Sequence, residues 1–303
     1  MIEPTRIWCK GLTKNQINDK IENETRNLTN VNLTIRGYEY SDFINIIIPS
    51  TVIYFNCSDN EIKTFFGLEL SANVTDFICS NNGITSFTGL ILPSTITYFD
   101  CSHNQITSFI ELELSTRVII FNCSFNKITS FSGLMLPSSV TTLSCRGNQI
   151  KGISGLIFPN ITSSSLTDFD CSQNQITSLT GLKLPSSLRE FDCSHNKIIS
   201  LIGFDLNQVM LRDFRCNNNL IKSVRNFSFP ATLKVFFIDR KVNFINPKFH
   251  SVLESRLRNH VSVESSSDRD FDSLIRDELI FLYLNFNMKN SGNQGYESII
   301  TKL

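Results

Sequence analysis

A solenoid of short repeats, each giving one strand to a parallel sheet on a concave face, is the fold class this sequence predicts. Three observations carry the prediction. Eight of the nine cysteines fall in one register (Cys57, Cys79, Cys101, Cys123, Cys145, Cys171, Cys193 and Cys216), and each is followed three residues on by an asparagine, from Asn60 to Asn219. Each unit also alternates a buried-type residue with its cysteine, as in Phe99-Asp100-Cys101, which is the two-residue period of a strand. The second half of the unit closes on Gly-Leu-x-Leu-Pro-Ser-Ser or a near variant, a turn signal that recurs at the same phase. With a period of 22 residues each unit packs on its neighbours, so the 303 residues are expected to form one elongated array.

Residues 1–29 are polar, with Ile17 and Ile21 spaced as on one face of a helix, and are expected to be an N-terminal cap or flexible segment. Residues 30–51 keep Leu33 and Ile35 at strand positions but carry Tyr38 and Tyr40 where asparagine and isoleucine recur later. A degenerate repeat suits the end of an array, because it closes the open core. The array is expected over 30–245, with about eight regular repeats between 52 and 232.

Within a regular repeat, the strand turns Phe and Cys inward and their neighbours outward. The asparagine falls where the chain leaves the sheet, and an amide that both donates and accepts can satisfy backbone groups of its own repeat and the adjacent one. Phe65, Phe87, Phe109 and Phe131 share a later slot and predict an aromatic spine. Gly67, Gly89, Gly133, Gly155, Gly181 and Gly203 mark a backbone conformation that a side chain would penalise, with Glu111 and Asn226 breaking the rule. Between Cys145 and Cys171 the spacing is 26 residues, which puts an insertion in a loop from Pro159 to Ser165. A tolerated insertion is the favoured reading there and a binding loop the alternative.

After Pro230 the pattern decays: Leu233, Phe236 and Ile238 keep a strand, but Lys241 replaces the asparagine. Asn246-Pro247 then offers a helix cap and first turn, followed by apolar stripes at Phe249 to Leu257 and Leu274 to Phe286. Residues 246–303 are expected to be a C-terminal helical cap, with a strand over Leu279 to Phe286 as the alternative.

Charge and motif content argue against chemistry. The formal net charge is zero, with 28 basic and 28 acidic residues. No Gly-rich phosphate loop, His-Glu-x-x-His or paired Cys-x-x-Cys is present. Asp100-Cys101-Ser102-His103 and Asp192-Cys193-Ser194-His195 resemble triads on paper, but their cysteines point into the core. A ladder of cysteines along an axis spreads its thiols instead of converging them on a metal, so reduced core thiols in a reducing compartment are expected. Met1-Ile2-Glu3-Pro4-Thr5-Arg6 carries acid and proline where a secretory signal needs an apolar run, and the apolar run Leu279 to Leu284 is too short to span a bilayer.

The repeats resemble the leucine-rich-repeat family. Ile96, Phe99, Cys101 and Ile106 take the apolar places of its Leu-x-x-Leu-x-Leu-x-x-Asn-x-Leu template and Asn104 the asparagine, and the same frame recurs at Val74 and Val118. The length and the Asn-x-Ile-x-x-Phe-x-Gly-Leu run are similar to the SDS22-like and internalin-like class, and the Leu-Pro-Ser-Ser-Leu link at Leu184 to Leu188 is similar to the short repeats of bacterial effectors. The resemblance implies a horseshoe with extended or 3-10 segments on its convex face, and a non-enzymatic scaffold that binds a protein through its concave face. A substrate-recognition adaptor for a ubiquitin ligase, or a host-directed effector of a virus or bacterium, is the alternative. No cofactor or metal is expected. The expected partner is a protein and not nucleic acid, with no membrane span, a monomeric state and a cytoplasmic location, or the host cytoplasm for an effector.

Three columns should face outward from the sheet. In them, Tyr54, Ile78, Tyr98, Ile120 and Phe125 supply large apolar groups edged by Asp100 and His103, and these seven are the candidate binding residues. A second candidate is basic. Residues 207–260 hold ten bases against three acids, a net of +7, whereas residues 51–120 hold two bases against seven acids, a net of −5. Arg212, Arg215, Lys234 and Arg240 are its named members.

Overall fold

Stacked single strands, one per repeat, are what the computed structural model of the chain shows. It describes residues 5–245 apart from 38–39, 44, 154, 159–162, 226, 228 and 240–241. The expected helical cap over 246–303, the alternative strand at Leu279 to Phe286, Tyr38, Asn226, Arg240, Lys241 and the core of the 159–165 insertion lie outside the described residues. The chain divides into two compact units, Met1–Asp170 and Cys171–Leu303.

The first unit carries β1 (Arg6–Cys9), α1 (Lys14–Thr25), β2 (Val31–Ile35), β3 (Val52–Asn56), β4 (Asp76–Ile78), β5 (Tyr98–Asp100), β6 (Ile120–Asn122), β7 (Thr142–Ser144) and β8 (Asp168–Asp170). Each strand pairs in parallel with the next in chain order. The second unit carries β9 (Glu190–Asp192), β10 (Asp213–Arg215), β11 (Ser223–Arg225), β12 (Val235–Phe237) and β13 (Asn243–Ile245). There β9, β10 and β12 pair in parallel, and β11 pairs separately with β13.

Strand β1 is not anticipated by the sequence reading. Cys9, the cysteine outside the main register, is buried on it, and Trp8 faces outward. The helix suggested by Ile17 and Ile21 is α1, which buries both. It starts at a capping box: Thr13 accepts from the Gln16 amide while the Gln16 side chain accepts from the Thr13 backbone. Lys14 ties the helix to Asp42 by an ion pair.

From β4 to β8 the middle residue of every strand is buried and its neighbours are half-exposed, as the alternation requires. Register places Phe55, Phe77, Phe99, Phe121, Leu143 and Phe169 in one row. The first four stack ring on ring at 5.6–5.8 Å. The expected outer row appears beside this one as two stacked pairs, Phe65 on Phe87 and Phe109 on Phe131, at 6.5 and 6.4 Å. The two rows meet edge to face at 6.2–6.4 Å through Phe65–Phe77, Phe87–Phe99 and Phe109–Phe121. The core is therefore a double aromatic column, and edge-to-face contact matches the positive ring edge to the negative face.

The asparagine ladder is present in both units. Asn104 shows its form: the side-chain amide donates to the carbonyls of Cys79, Cys101 and Ser102, and its Oδ1 accepts from the amide of Ile84. Asn126 repeats this one turn on, as does Asn196 in the second unit. At the N-terminal end of the ladder Asn60 still donates, but its Oδ1 has no partner.

The glycine turn has the backbone expected of it. Gly89 and Gly133 lie at φ +81° and +88°, and a Cβ at Gly133 would come within 3.2–3.3 Å of the Phe109 and Ile110 backbone. Glu111 occupies the same place and takes the same left-handed turn, at φ +68°.

All nine cysteines are free and buried. The thiols of Cys57, Cys79, Cys101, Cys123 and Cys145 each donate to a carbonyl of the following strand at 3.3–3.5 Å. Burial pushes the thiols of Cys57, Cys79, Cys101, Cys123 and Cys216 far above the ordinary range. The native protein should therefore resist a thiol reagent at pH 8 and react at all positions once unfolded. Unfolded thiols ionise above about pH 8.5 while the folded ones stay neutral, so this contribution to stability is intact below that pH and shrinks as pH rises. Rapid modification of the native ladder, followed by mass spectrometry, would refute this picture.

Candidate functional site

The outward face of the first unit's sheet is built from two columns set by register. One runs Tyr54, Asp76, Tyr98, Ile120, Thr142, Asp168 and the other Asn56, Ile78, Asp100, Asn122, Ser144, Asp170. All are half-exposed except Asn56, which keeps its place in the column but is buried there. Its amide donates to Tyr54 Oη at 3.1 Å, and its Oδ1 accepts from Ser58 N at 2.9 Å.

Asp100 makes the equivalent turn contact: its Oδ1 accepts from Ser102 N at 2.8 Å, and Asn122 accepts from Ser124 N in the same way. Each side chain thus caps the amide where the strand ends. Asp100 therefore has a structural task as well as an exposed position.

The third outward column has a backbone that the sequence reading did not foresee. Asp59, Asn81, His103 and Phe125 in the first unit, and Gln173, His195 and Asn218 in the second, all lie at φ between +52° and +58°, with Gly147 at +68°. Backbone amides in this column donate onward along the sheet, as in His103 N to Ser124 O and Phe125 N to Arg146 O. Asn, Asp, His and Gly are the types that tolerate this left-handed region, so the composition of the slot held the signal. Gln173 and Phe125 are the departures, and Phe125 is the bulky one.

The Phe125 ring is 38% exposed and lies flat on His103, with centroids 4.5 Å apart. The Arg146 guanidinium, from the following repeat, sits 5.9 Å from its centroid. A Cβ at residue 147 would fall 2.5 Å from this ring, so the glycine there leaves the room it occupies. Ile120 and Tyr98 are adjacent in register. The structure thus brings Tyr98, Asp100, His103, Ile120 and Phe125 onto neighbouring repeats, with Ile78 and Tyr54 one and two strands further toward the N-terminus.

The triad-like runs are not nucleophilic sites. Cys101 and Cys193 are buried in the core, and burial, with Cys123 and Asp100 adding to it, pushes the Cys101 thiol up, away from the reactive thiolate. Among the described residues no three of His, Cys, Asp and Glu stand together as metal ligands. No described helix is long and apolar enough to cross a membrane.

Of the basic candidates, Arg212, Arg215 and Lys234 are described, in the second unit. Arg215 forks onto Asp213 through Nε and Nη2, at 3.1 and 2.7 Å, and lies over the Phe237 ring at 4.9 Å. That bond holds its guanidinium more firmly protonated than usual and compensates its charge. Arg212 and Lys234 are exposed on adjacent chain segments, joined by Lys234 N to Arg212 O.

Sequence reasoning missed the most exposed apolar side chains. Ile91 is 81% and Met135 75% exposed, and Ile157, Phe66, Ile202 and Ile110 are also exposed. They sit in the outer half of the repeat, beside the glycine turns. Ile91 and Met135 fill the variable place of Leu-x-Leu, as Ile157 does in Leu156-Ile157-Phe158; that place also holds Glu69 and Glu113, and the alternation was the available signal.

No protein-family model and no curated sequence matches the chain. Solved structures do. The leucine-rich-repeat part of FLRT2, in an octameric complex with Latrophilin 3 and Unc5D, is similar at a TM-score of 0.62 and 18% identity, covering 87% of this chain and 83% of that one. The leucine-rich-repeat domain of APL1B gives 0.53 and 16%, covering 78% and 75%. The functional domain of InlJ from Listeria monocytogenes, described as including a cysteine ladder, gives 0.50 and 22%, covering 78% of this chain and 54% of that one. The chain has the leucine-rich-repeat fold.

Proposed function

We propose that the chain is a non-enzymatic scaffold that binds a protein partner through the outward face of its first unit's sheet, centred on Tyr98, Ile120 and Phe125. The observation that carries this reading is the pose of Phe125. The turn of every repeat in this column is left-handed, a backbone that costs a bulky residue on the order of 1–2 kcal/mol, and at this place the slot nonetheless holds a partly exposed aromatic ring. Aromatic groups held rigid at a surface are the usual anchors of protein interfaces. The fold neighbours support a partner of the same class: FLRT2 is seen with Latrophilin 3 and Unc5D, and APL1C with LRIM1. A reducing, intracellular location accords with the nine buried free thiols, and detection of the native protein outside the cell would refute it.

The test is the pair Ile120→Ser with Phe125→Ser, set against Ile91→Ser with Met135→Ser on the outer half of the repeat. The first pair should leave the melting temperature nearly unchanged and abolish capture of the main partner from the native cell. The second pair should leave capture intact. If capture instead survives the first pair and fails with the second, the outer apolar row is the binding surface.

A further inference from the structure

We infer that the face takes an extended, basic protein segment, in which Lys or Arg side chains flank an apolar one; this deepens the proposed function and rests on it. The charge pattern of the face sets the chemistry of its occupant. Across β3 to β8 the two outward strand columns hold four carboxylates, Asp76, Asp100, Asp168 and Asp170, and no lysine or arginine. The ion pairs nearby, among the described residues, do not reach Asp76, Asp100 or Asp168: Arg36 turns to Asp59, and Arg146 lies against the Phe125 ring.

The carboxylates are placed, not scattered. Asp76 stands in register between Tyr54 and Tyr98, so two phenol rings rise about 10 Å apart on either side of it. Thr75 Oγ1 donates to Asp76 Oδ2 at 2.6 Å, and Ser102 N donates to Asp100 Oδ1 at 2.8 Å, which leaves the second oxygen of each for another donor. Asp168 is fixed in the same way by Thr167 Oγ1. The negative field is felt by the ring between them: the Tyr98 hydroxyl is held above its usual range by burial first, then by Asp100, Tyr54 and Asp76. A cation between tyrosine faces and over a carboxylate gains from both ring and charge.

The apolar part of the occupant is set by what lies between. Tyr98, Ile120 and Phe125 separate Asp76 and Asp100 from Asp168, which is four strands from Asp76. Four strand spacings are about 19 Å, the reach of roughly six extended residues. An apolar group over Ile120, with a cation toward Asp76 and another toward Asp168, matches that order. Nucleic acid is negative, like the face, and would be repelled.

The test uses the full chain and a displayed library of random twelve-residue peptides. Selection should enrich peptides in which Lys or Arg flanks an aromatic or aliphatic residue. The enriched peptides, made synthetically, should lose about tenfold or more in affinity against Asp76→Asn with Asp100→Asn, because each lost charge-assisted bond is worth about that factor. These variants keep the Thr75 and Ser102 bonds, so circular dichroism and melting should be unchanged. Affinity should also fall as salt rises. Enriched peptides that are acidic or neutral, lose binding with Ile120→Ser/Phe125→Ser and ignore the Asp variants would overturn this inference and leave the proposed face standing. Peptides indifferent to both sets of variants, or no enrichment at all, would remove the face as well.

Discussion

Replacing Asn104 by alanine should destabilise the protein by about 2–3 kcal/mol, and replacing it by aspartate should cost more. The ladder shows why. The carbonyls of Cys79 and Cys101 keep a second donor after the change, from Asn82 and Asn126, and Ser102 O keeps Asn81 N. The Ile84 amide does not, because its bond goes to Asn104 Oδ1. Alanine therefore orphans one buried N–H and removes three shared donations. Aspartate keeps the acceptor for Ile84 but turns an oxygen toward three carbonyls where an NH2 had donated, and burial there disfavours its charge. The measurement is urea unfolding of the three proteins side by side. Aspartate more stable than alanine would mean that the amide nitrogen contributes nothing and that the donation pattern is wrong.

That pattern was largely legible from the residues. An amide recurring three places after a buried cysteine, where the chain must leave the sheet, has few other tasks. Alternation likewise placed Tyr98 and Ile120 outward, and register then made them neighbours. What failed to show has physical reasons. Strand β1 carries Lys10-Gly11-Leu12 after Cys9 in place of Ser-x-Asn, and α1 replaces the outer half of its repeat, so neither motif could report it. The left-handed backbone of the third column was written in Asp59, Asn81 and His103, yet side-chain alternation carries no information about φ. For Phe125 the type of residue argued against that backbone, and His103 and Gly147 together are what accommodate the ring. The second role of Asp100, as cap for Ser102, depends on local geometry that a column of outward residues does not encode.

The largest loss of stability is expected at the aromatic column. Phe99→Ala should cost about 3–5 kcal/mol, the range for removing a buried ring from a core that relaxes incompletely. Phe99 is fully buried, stacked on Phe77 and Phe121 at 5.6 Å each and met on edge by Phe87 at 6.4 Å. In a repeat array stability resides in intrinsic repeat terms and in the interfaces between neighbours, so a hole in an interior repeat weakens the interface on both sides. Phe43, near the N-terminal end, meets Phe55 on edge at 6.2 Å, and Phe43→Ala should cost less. Phe99→Leu provides the decisive comparison. Leu143 stands natively in the same row, between Phe121 and Phe169, without interrupting the pairing of β6, β7 and β8. Leucine at 99 should therefore recover more than half of what alanine loses. Equal losses for leucine and alanine would show that ring stacking, and not filled volume, holds the column; a loss below about 1 kcal/mol for alanine would show that the neighbouring rings close over the gap.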